Sequence, residues 1–350
     1  MTPLRRLVLP LLLLLAALAL GACGSDDDDA AAGAGGAGTA ATEASAFPVS
    51  IEHKYGTATI ESAPKRVVVV GLREQDDLLA LGVAPVGTTE WFGEDPGALA
   101  PWARTKLGSR PLPTVLTNTD GIDIEKVASL RPDLIVGIYS GMTKDEFTTL
   151  SKIAPTIGQP KDVVDYGSTW EQELTTIGAA VGKPAEAKQM LEQVRAGVRE
   201  AAADHPEFAG KTGAVTSVFE GTYVYGPQDA RTRFLTDLGF TFPTALRSVG
   251  GKDEFGGSIS DERLDLLDLD TVVWLTEGAS VIRGIKDNAV YGKLPVREQG
   301  RDVFVDEADG DIYAAFSKES VLSVPIMVDE LVPRLARAVD DDPATTTDPE

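Results

Sequence analysis

The run Val67-Val68-Val69-Val70-Gly71 constrains the fold more than any other stretch of the chain. Successive β-branched residues leave no polar face for water, so this strand must be buried on both sides, as in a parallel sheet covered by helices. The segments after it keep the rhythm such a sheet needs. Residues 75–81 read as a short helix stopped by Gly82, and residues 83–87 as the next strand. Residues 124–130 read as a helix ended by Pro132, and residues 134–138 as a third strand. Residues 147–153 continue as a helix and Pro155-Thr156-Ile157 as a short strand. Strand and helix alternating in this way predict βαβ units.

The alternation pauses over residues 170–181 and 184–203, two helices separated by Gly182-Lys183. In the second, Ala187, Met190, Leu191, Val194 and Val198 recur at spacings of three and four, giving one apolar face over about five turns. A helix of that length between two βα halves is expected to join them as a stiff rod. The pattern then resumes with a strand at 214–219, a helix at 231–238 ending at Gly239, and the apolar segment 264–267. Strands follow at 271–275 and 302–305, and the chain closes on an amphipathic helix, 321–338, interrupted near Pro325 and Pro333. The expected organisation is an N-terminal α/β lobe over 47–181, a connecting helix over 182–205, a C-terminal α/β lobe with a terminal helix over 206–340, and a disordered tail over 341–350.

What precedes the lobes is of another kind. Arg5 and Arg6 lead an apolar stretch, 7–20, followed by the small residues Gly21 and Ala22, the layout of a secretory signal over residues 1–22. The stretch is shorter than the roughly 20 residues an untilted membrane span needs. The chain's single cysteine, Cys23, comes next, in Leu20-Gly21-Ala22-Cys23, which resembles the lipobox of bacterial lipoproteins, where the sulfur is acylated. The competing reading is an ordinary secretory signal with an incidental cysteine. A catalytic thiol fits poorly, because Asp26 to Asp29 would raise its pKa and suppress the thiolate. Residues 23–46 are mostly Asp, Ala, Gly, Ser and Thr, too poor in apolar area to offset ordering, and are expected to form a flexible acidic tether. With 32 Lys and Arg against 54 Asp and Glu the chain carries a net charge of −22, and −24 once Arg5 and Arg6 are removed. Such a chain repels polyanions, so nucleic acid is not an expected partner.

Several short motifs together resemble the iron-siderophore class of ABC-transporter substrate-binding proteins. They are P-K-R-V-V-V-V-G (64–71), L-L-A-L-G-V-A-P-V-G (78–87), A-S-L-R-P-D-L-I-V-G (128–137), R-F-L-T-D-L-G-F (233–240) and D-V-F-V (302–305), in order and behind a lipobox. The resemblance covers about residues 51–338. It implies an α/β chain of two Rossmann-like βα lobes joined by a single long helix, the class III periplasmic-binding-protein fold, with a shallow cleft that closes little on its ligand. It also implies delivery of a ferric siderophore, haem or cobalamin to an ABC permease and its ATPase, by a monomer held to the outer face of the membrane by lipid alone.

Ligands of open parallel sheets sit beyond the carboxyl ends of the strands, which selects the residues that follow strands. They are Arg73, Trp91 and Tyr139 in the first half, and the stretch Glu220 to Tyr225, with Tyr225 foremost, then Arg231, Phe255, Arg283 and Tyr313 in the second, with Arg233 and Phe316 close by. Aromatic faces and guanidinium forks suit a flat, chelated, often anionic ligand. A surface salt bridge is the competing role for each arginine and core packing for each aromatic; Trp274, inside a strand, belongs to the core. By position within the family pattern, Glu146 with neighbouring Asp145, and Glu262, are candidates for docking to arginines of the permease. His53 and His205 are far apart and lack companion ligands, so a bare metal ion is not the expected cargo, and no resident cofactor is expected.

An enzyme is the alternative class. The chain has no G-x-G-x-x-G after the first strand, no G-x-x-x-x-G-K-[ST] and no G-x-S-x-G elbow. The carboxylate pairs Asp76-Asp77 and Asp261-Glu262 read as acids at helix starts, favoured there by the helix dipole. A cell-surface lipoprotein that keeps the fold without transport is the third class, since fold does not fix function.

Overall fold

The computed structural model describes residues 46–91, 95–119, 121–219, 221–249, 256–340, 342 and 344–345. The expected signal, Cys23 and nearly all of the tether lie outside the described residues, as do Phe255 and the end of the tail. An antiparallel hairpin, β1 (Val49–His53) against β2 (Gly56–Ile60), opens the described chain. The first large sheet holds β3 (Val67–Val69), β4 (Gly87–Thr89), β5 (Thr114–Leu116), β6 (Leu134–Gly137) and β7 (Thr156–Gly158), all parallel, in the order β5-β4-β3-β6-β7. Helices α1 (Glu74–Ala80), α2 (Pro101–Leu107), α3 (Ile124–Ser129) and α4 (Lys144–Leu150) lie in its crossovers. Helices α5 (Trp170–Ala180) and α6 (Pro184–Asp204) then lead to a second sheet of β8 (Gly213–Phe219), β9 (Gly221–Tyr225), β10 (Gly256–Ile259), β11 (Thr271–Thr276) and β12 (Asp302–Asp306). Its order is β10-β9-β8-β11-β12, with β8, β11 and β12 parallel and β9 and β10 antiparallel. Helices α7 (Ala230–Asp237), α8 (Ala279–Lys286), α9 (Pro295–Glu298), α10 (Asp311–Lys318) and α11 (Val324–Ala338) complete the chain. These are two βα lobes joined by one long helix, and in each sheet the strand that comes first in sequence is central.

The period of two along the strands sorts their side chains into layers. Val67, Val69, Leu134, Val136, Val215, Val273, Leu275, Val303 and Val305 face a core shared by both lobes and filled by α5, α6, α10 and α11. Val68, Val70 and Ile135 face a second core beneath α3 and α4. Val272, Trp274 and Phe304 face a third, with Ile282 and Ile285 of α8. Trp274 is therefore in the core, as its place inside a strand requires. The rod expected over 184–203 is α6, which begins on Pro184 and buries Ala187, Leu191, Val198 and Ala201.

Helices α2, α8, α9 and α10 are absent from the sequence reading, the closing helix runs unbroken from Val324 through Pro333, and four further segments differ. The strand expected at 83–87 pairs only from Gly87 onward, because Pro85 has no N–H to give a ladder. Strand β5 was not anticipated; it is a three-residue piece just after Pro111 and Pro113. The helix expected at 147–153 starts earlier, at Lys144, where Thr143 and Glu146 form a reciprocal capping box. The second sheet is not built from βαβ units throughout, since β8 turns back into β9 at Gly221, whose φ of 106° suits glycine.

Candidate ligand cleft

The parallel strands of each sheet deliver their carboxyl ends to one edge. At the carboxyl end of β3, Gly71 and Leu72 lead into Arg73; β4 is followed by Glu90-Trp91 and β6 by Ile138-Tyr139. In the second sheet β8 ends on Phe219, β11 is followed by Glu277, and β12 leads to α10 with Tyr313 and Ser317. These pieces surround a cavity of about 540 Å³. Its aromatic wall is Trp91 from one lobe and Phe219, Tyr223, Tyr225 and Tyr313 from the other; Ser217, Arg231, Glu277 and Ser317 are polar, and Val218, Leu275 and Val281 aliphatic.

Arg231 is almost fully buried and its planar fork is already matched. Nε donates to Asp229 Oδ1 at 2.9 Å and Nη2 to Asp229 Oδ2 at 3.0 Å, while the guanidinium carbon lies 3.9 Å from the Tyr225 ring centre. The Arg231 backbone N–H also donates to Asp229, which caps α7. Burial opposes the Arg231 charge, but Asp229 more than offsets that and raises its pKa further. The Ser217 hydroxyl donates to the Tyr225 hydroxyl at 3.2 Å, and Tyr313 donates to Glu277 Oε1 at 3.1 Å. Burial, then the Glu277 charge, pushes the Tyr313 phenol up.

Behind the wall lies a second layer. The Tyr139 ring is 6.0 Å from that of Trp91 and only 2% exposed, and the Arg73 guanidinium lies over it at 3.8 Å. Burial pushes the Tyr139 phenol up to about 12. Arg73 is 0% exposed and spends its donors on protein. It grips Glu173 of α5 through Nε and Nη2, reaches the Ser168 carbonyl at 2.8 Å, and reaches the Lys318 carbonyl of the other lobe at 2.7 Å. Its neighbours on α1 are buried too. Glu74 accepts from the backbone N–H of Tyr139 and of Arg73, and Asp76 accepts from Trp102 Nε1 at 2.7 Å and from the Ser320 hydroxyl at 2.5 Å. Burial raises the pKa of Glu74 to about 7, with Glu173 adding to the shift, and pushes Asp77 well above the carboxylate range. Asp76 and Asp77 do stand in the first turn of α1, as acids at a helix start, but both are buried, and Asp76 links the lobes through Ser320.

Of the residues chosen from sequence, Trp91, Tyr225, Arg231 and Tyr313 line the cavity; Tyr139 and Arg73 form the layer beneath. Arg283 is exposed on α8 and does not line it. Phe255 lies outside the described residues. Phe316 is fully buried in the shared core, because it falls on the inner face of α10, and Arg233 turns to the Gly167 carbonyl. Tyr223, within the chosen stretch 220–225, lines the cavity as well, and sequence reasoning missed Ser217, Val218, Phe219, Leu275, Glu277, Val281 and Ser317. Glu277 follows a strand as directly as Arg73 does, so the same rule reaches it; Phe219, 65% exposed, reads in sequence as one more core residue of an apolar strand.

Of the docking candidates, Glu146 is half-buried and its carboxylate closes the α4 cap, accepting from the Thr143 N–H at 2.7 Å and the Ile122 N–H at 3.2 Å. Those bonds hold its pKa low against burial. Asp145 and Glu262 are exposed. His53 is buried with Nε2 unpartnered, and His205 ends α6 against Glu207 at 2.7 Å.

The family model described as periplasmic binding protein matches residues 67–307. The chain belongs to the periplasmic binding protein family. It is 28% identical over 280 residues to the putative ABC transporter substrate-binding lipoprotein YhfQ of Bacillus subtilis, covering 74% of this chain and 81% of that one. It is 29% identical over 202 residues to the Fe(3+) dicitrate-binding periplasmic protein FecB of Escherichia coli, covering 57% and 64%. Among solved structures, a periplasmic solute binding protein from Mycobacterium smegmatis shares 34% identity at a TM-score of 0.74, covering 83% of this chain and 98% of that one. PiaA of Streptococcus pneumoniae, solved in complex with ferrichrome, has the same fold, with a TM-score of 0.73 at 24% identity over 84% and 99% of the two chains.

Proposed function

We propose that this family member is the extracytoplasmic solute-binding component of an ABC importer, taking up a ferric siderophore in the cleft and handing it unchanged to a membrane permease. The observation that carries this reading is the aromatic-walled cavity at the strand ends, to which both lobes contribute, in a family whose relatives are named for iron chelates. A chelate brings its own iron, so the protein needs apolar faces and a few hydrogen-bond donors, not metal ligands. The cleft offers Trp91, Phe219, Tyr223, Tyr225 and Tyr313 as faces, and among the described residues no cluster of three His, Cys, Asp or Glu side chains is suited to a bare metal ion.

The test is quenching of tryptophan fluorescence during titration with ferric hydroxamate, catecholate and citrate chelates, haem and cobalamin. Saturable quenching by an iron chelate, with the chelate recovered unaltered, is the expected result. Saturation by haem or cobalamin alone would replace the cargo, and conversion to product would replace a binder with an enzyme. Lipid on Cys23 would hold the binder near its permease and raise its effective concentration there. Cys23→Ser is then expected to move the protein to the soluble fraction. Docking is proposed at the Asp145-Glu146 corner and at Glu262. Because Glu146 also caps α4, the informative variant is Asp145→Lys with Glu262→Lys, expected to lose uptake while keeping chelate affinity.

A further inference from the structure

We propose that the cleft selects electrically neutral ferric chelates of the tris-hydroxamate class over polyanionic tris-catecholate or citrate chelates. This inference rests on the siderophore-binding reading and narrows it. The observation behind it is that the described cations at the cleft already carry carboxylate partners or lie in a closed second layer. Arg231 is the cation on the cavity wall, and both prongs of its fork that face a carboxylate are given to Asp229. Arg73, one layer back, is fully buried and gripped by Glu173. Lys318 is buried with Nζ 5.3 Å from the Trp91 ring centre, and the Asp76 carboxylate, one of its electrostatic partners, lies on the same interlobe link. At the rim stands an acid, Glu277. Arg231 and Asp229 cancel, so the described wall of the cavity carries the surplus negative charge of Glu277.

Catecholates are dianions and hydroxamates monoanions, so iron(III) held by three catecholates is trianionic and held by three hydroxamates is neutral. A trianion entering this cleft would lose hydration and meet no uncompensated cation on the described wall, whereas bidentate anion recognition needs an open guanidinium fork. A neutral chelate loses little hydration and presents a largely apolar exterior to the aromatic wall. The Ser317 hydroxyl lies on the same wall as a donor toward hydroxamate oxygens.

The decisive experiment titrates the purified protein with three ferric chelates in one buffer: a neutral tris-hydroxamate, a trianionic tris-catecholate and ferric citrate. The neutral chelate is expected to bind at least about a hundredfold more tightly than either anion, the scale set by Coulomb repulsion at short range in a partly screened site. Two variants then move the preference. Asp229→Asn uncovers the Arg231 charge and Glu277→Gln removes the rim acid, and each is expected to raise the catecholate-to-hydroxamate affinity ratio about tenfold. Glu277 is exposed, so its variant reads the effect even where Asp229→Asn impairs folding. Equal or tighter binding of either anion by the unmodified protein, or an unchanged ratio in Glu277→Gln, overturns this inference and leaves the siderophore reading standing. Absence of saturable binding by all three overturns both.

Discussion

Arg73 and Glu173 bring opposite charges together where neither sees water, and the pair closes with two nitrogens on one carboxylate. Removing one member leaves the other charged and buried, which costs about 3–5 kcal/mol, whereas replacing both by apolar residues of similar size is often close to neutral. Arg73→Met is therefore expected to lower the urea midpoint strongly, and Arg73→Met with Glu173→Leu to restore much of it, each followed by far-UV circular dichroism. Chelate affinity of the folded fraction is expected to fall less than in Arg231→Met, because Arg73 is fully buried and does not line the cavity. A selective loss of affinity in Arg73→Met without loss of stability would return Arg73 to the ligand. The rule that chose Arg73, an arginine just after a strand, located it correctly and misjudged its neighbours. Sequence places a residue at a strand end, but which carboxylate folds over it depends on α5, a hundred residues away in the chain. Gly71 makes the same point, since a Cβ there would collide with the Glu74 carboxylate, a contact that no local pattern announces.

At the scale of elements, α6 holds its place through four buried residues on one face, and Gly197 stands at the flank of that face, half-buried beside a gap that Val324, Pro325 and Val328 of α11 also line. It is within a regular helix, its φ is not positive, and a Cβ added there would meet nothing within 4 Å. Gly197→Ala removes backbone freedom from the unfolded chain without strain in the folded one, and is expected to stabilise by about 1 kcal/mol. A thermal scan should show the melting temperature raised by a few degrees, and a decrease would mean the helix bends or packs there. The elements that carry a β-branched run or a clear helical period were the legible ones. β3, β6, α5, α6 and β11 fall within a residue or two of where β-branched runs and the 3.6 period put them. β5 and the antiparallel pieces were not. β5 is too brief to show a period, and β9 and β10 depend on pairing partners that a run such as Gly221-Thr222-Tyr223 does not name. The early start of α4 was present in the text as Thr143-Lys144-Asp145-Glu146, a capping box that outweighs the apolar residues after it.

The whole molecule couples its lobes through a polar seam, in which Arg73 donates to the Lys318 carbonyl and Ser320 to Asp76, and that seam sets how stability follows pH. Burial holds Glu74 at about 7 and pushes Asp77 and Glu319 well up, all above the values carboxyl groups have in an unfolded chain. Where folded values exceed unfolded ones, the folded state holds more protons between the two, so stability is greatest below the unfolded value and falls as pH rises through the folded one. Each such group contributes a slope of up to about 1.4 kcal/mol per pH unit across that window. Glu146 and Asp270 act in the opposite sense, with values lowered by the N–H groups they accept from, and their contribution is lost only as pH falls below the ordinary carboxylate range. The two windows do not overlap near neutrality. Buried His53, its pKa lowered by burial, acts against the seam there, but one histidine is opposed by Glu74, Asp77 and Glu319 together, so the seam governs. The urea midpoint is expected to be higher at about pH 5 than at about pH 7.5. Glu74→Gln, which cannot ionise, is expected to flatten that difference while keeping an oxygen to accept one of the two backbone N–H groups. A midpoint that rises from mildly acid to neutral pH, or one whose slope Glu74→Gln leaves unchanged, would mean that water or a counter-charge reaches the seam and that the lobes are not sealed against each other there.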